Sequence, residues 1–337
     1  MRRFIYKLAT FFIPALLMAY FIDLYLSDSF KKTDMAFGEY EVWNDIYAGD
    51  INADIAIFGS SRAWLHFNPK LFESRLNKSA YNFGLDGHNF WLQYLRYKEY
   101  FKYNKHPETI IYSIDVFSLR KRNDLYNKKQ FLPYMLWNYD IYKFTRSYDG
   151  FSTADYFVPL LRYFGNVRVK DIKNLLFTDK NENYRYRGFK GMDLKWSSDA
   201  KSNDSKLIVD VDSTSLRLFK SFVEELQNEN INIILVYSPE YIGGQNIFKN
   251  RKDMIGIFKQ MAKEFDVPFI DYSNSAISAD KNLFYNNLHL TKVGADIFTN
   301  NIIDYLKDHK SIKIKNSEMA NNNKDNIHSK RSFPITD

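Results

Sequence analysis

The sequence predicts an α/β fold: a three-layer α/β/α sandwich around a parallel sheet, with one N-terminal transmembrane helix and a mainly helical insertion. Three observations predict it. Short apolar runs, two of them ending on glycine, alternate with segments of helical period. The run from Phe4 to Leu26 carries only Lys7 and Asp23 as charges. The alternation stops between about 120 and 210 and then resumes. Of the 337 residues, 45% are hydrophobic and 26% charged, which supplies a packed core and excludes wholesale disorder.

Met1-Arg2-Arg3 precedes the apolar run. As a helix, residues 4–26 would be about 34 Å long, against a bilayer hydrocarbon core of roughly 30 Å. Pro14 falls mid-span, which membrane helices tolerate, and Tyr20 and Tyr25 fall near the far interface. A cleaved signal peptide needs a shorter apolar stretch and a small-x-small site. After Ala19 come Tyr20, Phe21 and Ile22, and no such site follows. The segment therefore reads as an uncleaved signal anchor, with residues 1–3 cytoplasmic. Arg2, Arg3 and Lys7 before the span place the large C-terminal part on the extracytoplasmic side, periplasmic or extracellular. Residues 27–50 read as a linker.

The α/β alternation begins at Asp54-Ile55-Ala56-Ile57-Phe58, a short buried strand closed by Gly59. Pro69 to Leu76 reads as a helix, Ala80 to Phe83 as a second strand closed by Gly84, Asn89 to Tyr103 as a helix, and Thr109 to Ile114 as a third strand. Beyond the interruption, Ser213 to Asn228 is a helix and Ile231 to Tyr237 the most apolar strand. A helix over Arg251 to Phe265, a strand over Val267 to Ile270 and a helix over Thr291 to Leu306 complete the domain at 51–306. Strands alternating with helices imply a sheet covered on both faces. The interrupting stretch is rich in Tyr, Phe, Lys and Arg, with helical pieces near 153–164 and 168–177, and is expected to cap one end of the sheet. The segment 307–337 lacks apolar periodicity after Ile314 and reads as a disordered tail.

The chain has no cysteine, which excludes disulfides, thiolate metal sites, iron–sulfur clusters and a Cys nucleophile. Its six histidines form no close cluster with Asp or Glu in sequence, so no metal and no other cofactor is expected. A net charge of +7 suits nucleic acid, anionic lipid or anionic glycan. No helix-turn-helix, RNP or zinc-finger pattern is present, so no nucleic-acid partner is expected.

Two segments carry chemistry. In Gly59-Ser60-Ser61-Arg62 a serine follows a strand directly, where backbone N–H groups of the next helix can hold an anion. By itself this pattern is also a helix cap. In Asn286-Asn287-Leu288-His289-Leu290 a histidine precedes the last helix, remote in sequence from the serine, as a catalytic base usually is. Asp86, Gly87, His88 and Asn89 would line the same rim, and Ser238-Pro239-Glu240-Tyr241 would face the site from a strand end. His66 reads as structural. Tyr134, Trp137, Tyr139 and Tyr142 either pack a helical subdomain or stack on sugar rings.

Strand-Gly-x-Ser, then Asn-x-Gly, then His-Leu-x-x-x-Gly-Ala in this order resemble the SGNH/GDSL hydrolase superfamily, over about 52–119 and 213–306. With the apolar N-terminus, the layout is similar to single-span SGNH-like proteins of bacterial envelope and polysaccharide loci and to the membrane-anchored D-alanyl transfer proteins of teichoic acid synthesis. The resemblance implies a flavodoxin-like sandwich with Ser61 as nucleophile and His289 as base. It implies an oxyanion hole from the N–H groups of Ser61 and Gly84, with Arg62, Asn82 and His88 at the substrate. The family's oxyanion-hole Asn falls on Asp115, and its triad Asp falls on Asn286. An Asn orients an imidazole but supplies no charge to its protonated form. Asp115 donates a hydrogen bond only if protonated. Alternatively it contacts His289 or Arg62 and supplies the acid from another strand, and the sequence leaves both open.

The function so implied is that of a serine-dependent acyl ester hydrolase or O-acyltransferase. It would act, through O-acetyl chemistry by family analogy, on an envelope or exopolysaccharide glycan. An acylated glycan or acyl donor would be its partner, and a membrane O-acyltransferase a further one. The alternative is a catalytically degenerate SGNH-like module that binds glycan or such an acyltransferase. A basic adhesin with salt-sensitive glycan binding is a third reading.

Overall fold

The computed structural model describes residues 2–33, 35–168, 171, 184–197 and 207–309. Helix α1 (Arg2–Lys31) leads into α2 (Glu39–Ala48). The domain then runs β1 (Ile55–Gly59), α3 (Ser61–His66), α4 (Pro69–Leu76), β2 (Ala80–Asn82), α5 (Phe90–Tyr103) and β3 (Thr109–Ile114). After the insertion, which holds α6 (Tyr139–Thr145), come α7 (Ser213–Asn228), β4 (Asn232–Tyr237), α8 (Arg251–Glu264), β5 (Phe269–Asp271), α9 (Ala276–Ala279) and α10 (Lys292–Asp308).

The five strands form one sheet in the order β2-β1-β3-β4-β5, and every pairing is parallel. The central strands β1, β3 and β4 are short and apolar on both faces, as burial beneath helices on two sides requires. Alternate residues serve opposite layers. Phe58, Tyr112 and Leu235 point into a core with α5, α7 and α8. Ile57, Ile111 and Val236 point into a second core with α4 and α10. The α/β/α sandwich expected from the sequence is therefore present. Local caps set its helix starts: Asn68 accepts from Lys70 N ahead of Pro69, Asp212 from Ser215 N, and Thr291 from Gly294 N.

Where the sequence suggests a linker at 27–50, the chain is helical and packed. Phe30, Val42, Trp43 and Ile46 are buried in the α5, α7 and α8 core. Helix α1 is long and apolar enough over Thr10–Lys31 to cross a membrane by length and composition, with mean hydropathy 1.6. Its last third is bound to the insertion. Asp23 accepts two bonds of 2.6 Å from Arg162 Nη1 and Nη2. Ser27 Oγ meets Tyr163 Oη at 2.7 Å, and Phe30 stacks on Tyr163. Asp23 is thus buried against an arginine distant in sequence.

Among the described residues, the helical piece expected at 153–164 consists of tight single turns. Besides α6 the insertion shows such turns at Lys128–Phe131, Thr153–Tyr156 and Leu161–Tyr163. The helical piece expected at 168–177 lies almost wholly outside the described residues, and so does the tail beyond 309.

Candidate active site

The site forms where β1 and β3 end side by side, at the point in the strand order from which chain connections run in opposite directions. Such a point in an open parallel sheet leaves a crevice beyond the strand ends. Gly59 closes β1 with φ of 144°, and a Cβ there would lie 2.6 Å from Ser113 O and 2.9 Å from Ala63 Cβ. Only glycine makes this turn. Ser60 caps α3: its hydroxyl accepts from Arg62 N at 3.4 Å and donates to the Asp115 carboxylate. Ser61 is the first residue of α3, where a helix has unsatisfied N–H groups.

Ser61 Oγ and His289 Nε2 are 2.8 Å apart. They sit on a cavity of about 190 Å³ that Asp115, Gly87, His88 and Asn89 also line. His289 lies in the turn before α10. Asn286 Oδ1 builds that turn by accepting from the N–H groups of Leu288 and His289, both at 2.9 Å. Leu290 N donates to His66 Nε2 at 3.1 Å, and the Tyr285 ring stacks on the imidazole at 5.6 Å. Enclosure of the ring, with the Arg62 guanidinium nearby, lowers His289 to about 4. The imidazole is thus neutral at physiological pH and able to take a proton. Its Nδ1 is buried with no hydrogen-bond partner. Among the described residues, the pair is a Ser–His dyad without a third member.

The structure brings Ser61, His289 and Asp115 together but changes other assignments. Asn286 does not orient the imidazole through its ring, because its oxygen is engaged by the turn. Gly84 N donates to Asn82 Oδ1 at 2.9 Å and is therefore occupied, which removes it from the expected oxyanion hole. Gly87 lines the cavity instead, with φ of 69° and room for no Cβ against the Tyr126 ring at 2.4 Å. Asn82 is fully buried and donates to Ala63 O at 2.8 Å and Phe67 O at 2.9 Å. It ties β2 to α3 and is not among the residues that line the cavity.

Arg62 does line the cavity, yet its guanidinium is turned inward. It donates to Ser238 O, lies 3.5 Å from Glu240 and covers the Tyr237 ring at 4.7 Å. Ser238 and Glu240 thus support Arg62 from behind. Of the roles left open for Asp115, a bond to His289 is absent among the described residues, whereas its charge does act on the Arg62 guanidinium. Its carboxylate accepts from Ser60 and, at 2.7 Å, from Phe117 N. His88 Nε2 accepts from Gln130 Nε2 at 3.2 Å, and burial lowers it to about 4, so it meets the cavity as a neutral ring.

Sequence reasoning missed Val116, Phe117 and Leu288, which give the cavity an apolar wall, and Arg120 and Arg122, which stand at its mouth. Only the last two had a sequence signal, as basic residues directly after β3. Tyr134, Trp137, Tyr139 and Tyr142 are not among the cavity residues. Among the described residues, no group of three or more His, Asp or Glu is placed to hold a metal.

No family model matches the chain, and no curated protein matches it in sequence. Solved structures are similar to it. A protein from Streptococcus pneumonia, provisionally described as a platelet activating factor, aligns over 89% of this chain and 98% of its own, with TM-score 0.43 and 11% identity. An acetyl xylan esterase aligns over 75% and 99%, with TM-score 0.38 and 12% identity. A GDSL-like lipase from Bacteroides thetaiotaomicron aligns over 82% and 99%, with TM-score 0.37 and 12% identity.

Proposed function

We propose that the protein is a serine-dependent acyl ester hydrolase or O-acyltransferase, anchored in the cytoplasmic membrane by α1, that acts on an acylated envelope glycan on the extracytoplasmic side. The 2.8 Å approach of Ser61 Oγ to a neutral His289 Nε2, on a cavity, carries this reading. His289 takes the proton as Ser61 attacks the ester carbonyl. The N–H groups of Ser61 and Gly87 stabilise the developing oxyanion. The alcohol leaves with the proton from His289. Water (hydrolysis) or a sugar hydroxyl (transfer) then resolves the acyl-serine by the reverse steps. A small acyl group such as acetyl suits an apolar wall of Phe117 and Leu288 in a cavity of this size.

The dyad lacks an acid on Nδ1, and in serine triads removing that acid lowers kcat by about 10⁴. Asp115 adds negative charge beside the oxyanion position. Its bond from Ser60 and the proximity of Arg62 offset that charge. These two features favour the second reading, a module that binds glycan or a membrane acyltransferase without chemistry of its own.

A fluorophosphonate probe separates the two. The full chain in detergent is expected to label, and Ser61→Ala to abolish labelling while keeping the same melting temperature. A folded wild-type chain that takes no label overturns the enzyme reading in favour of the binding module.

A further inference from the structure

The insertion leaves a group of large apolar side chains in solvent beside α1. Trp137 is 57% exposed, Tyr139 69%, Phe157 47% and Val158 41%. The same segment buries Ile141, Phe144 and Tyr156, so its own core is complete without them. The exposed group is continuous. Trp137 Nε1 donates to Phe157 O at 3.0 Å, and the Tyr142 ring meets Phe157 at 5.4 Å and Tyr139 at 6.2 Å.

The group lies at one level of α1. Tyr20 stacks on Trp137 at 5.2 Å with the rings 24° apart. The Asp23–Arg162 pair follows less than one turn further along the helix. On the other side of Tyr20 lie Phe11, Phe12, Leu16 and Leu17, all exposed. Lys143 and Arg146 sit on or next to α6, exposed, and belong to no ion pair among the described residues. Tryptophan and tyrosine favour the boundary between hydrocarbon and water. Lysine and arginine favour anionic headgroups.

We propose that this face, comprising Trp137, Tyr139, Phe157 and Val158 with Lys143 and Arg146, is a lipid-binding surface that seats the domain on the bilayer. The inference rests on α1 spanning that bilayer. Two arguments commit the face to lipid. It is continuous with the α1–insertion contact, at a level of α1 flanked by exposed apolar side chains on both sides, Leu16 and Leu17 before Tyr20 and Phe21, Ile22 and Tyr25 after it. It also combines aromatic and basic side chains as a headgroup layer requires.

The chain has no native cysteine, so single-cysteine variants report unique positions. Leu16→Cys, Phe157→Cys, Val158→Cys and Tyr186→Cys, each exposed, would be labelled with an environment-sensitive fluorophore. The purified full chain would be reconstituted alone into vesicles of phosphatidylglycerol and phosphatidylethanolamine carrying nitroxide lipids. Labels at 157 and 158 are expected to be quenched several-fold more than the label at 186, by shallow nitroxides, and the label at 16 by deep ones. Quenching at 16 with 157 and 158 no different from 186 overturns the seating while α1 still spans. If 157 and 158 are shielded from a water-soluble quencher but not reached by nitroxides, a protein contact with a second copy covers the face and the proposal fails. No quenching at 16 removes the anchor and the seating together.

Discussion

Asn286 directs its side-chain oxygen onto the N–H of His289, 2.9 Å away, and leaves the imidazole Nδ1 without a partner. The residue that would orient the base in a triad here builds the loop that carries it. This distinction has a direct consequence. Asn286→Asp keeps both backbone bonds and is expected to retain the labelling rate within a few-fold. Asn286→Ala frees two N–H groups, is expected to destabilise by about 1–3 kcal/mol, and slows labelling at least ten-fold. Melting curves and fluorophosphonate kinetics on the two variants check this. Equal loss in both would show that the amide acts on the ring.

His289→Ala is expected to slow Ser61 labelling by about 10²–10⁴, the usual contribution of a positioned general base. Ser61→Ala eliminates it. The double variant should resemble Ser61→Ala alone, since the two groups act on one proton. Rates for the three variants, with circular dichroism to verify folding, test the dyad.

The pH dependence follows from the depressed basicity of His289. The active form is the neutral ring, so labelling should rise through about pH 4 and level off above it. An unperturbed histidine would place the midpoint near 6.5. Stability moves in the same direction. Unfolded histidines bind protons near 6.5, while His289 and His88 bind theirs near 4, so the unfolded state holds more protons between these values. Stability therefore falls as pH drops from about 6.5 to about 4. A labelling midpoint near 6.5 would show that His289 is not enclosed as described.

Asn82→Ala tests whether Asn82 is structural. It removes three buried hydrogen bonds, to Gly84 N, Ala63 O and Phe67 O. The expected loss is roughly 2–5 kcal/mol. At temperatures where the variant stays folded, KM for a small ester such as p-nitrophenyl acetate should be unchanged. A raised KM with unchanged stability would return Asn82 to the substrate.

Arg162→Leu leaves Asp23 buried and unpaired and is expected to destabilise the contact between α1 and the insertion by about 3–5 kcal/mol. The double variant Asp23→Leu/Arg162→Leu should recover most of this, because a similar-sized apolar pair can replace a buried ion pair. Thermal unfolding of the full chain in detergent reads both.

Most of the sheet and its helices were legible because their signals are local. Thr109–Ile114 and Pro69–Leu76 have the bounds expected from their apolar runs and caps. Ser61 and His289 were legible from the order of motifs. What escaped depends on partners far away in sequence. Asp23 looks like a charge inside a membrane span until Arg162, 139 residues on, is placed against it. Gly84 fits the expected oxyanion-hole position as sequence, and only the fold shows that the Asn82 side chain occupies its N–H. Helix α2 was read as linker because its apolar face is short and set among charged residues, and its burial comes from packing beneath α5.

The bidentate bond between Asp23 and Arg162 also fixes Ser61 relative to α1. Under the proposed function, a nucleophile on a floppy leash would explore a hemisphere of cell-wall material. One carried on a domain bolted to its own helix would have a single working height and a single bearing. It would then find esters by drifting sideways in the bilayer, so its encounters would be those of a plane rather than a volume. Acyl groups presented at that height would be within reach, and those farther out would have to be brought down to it.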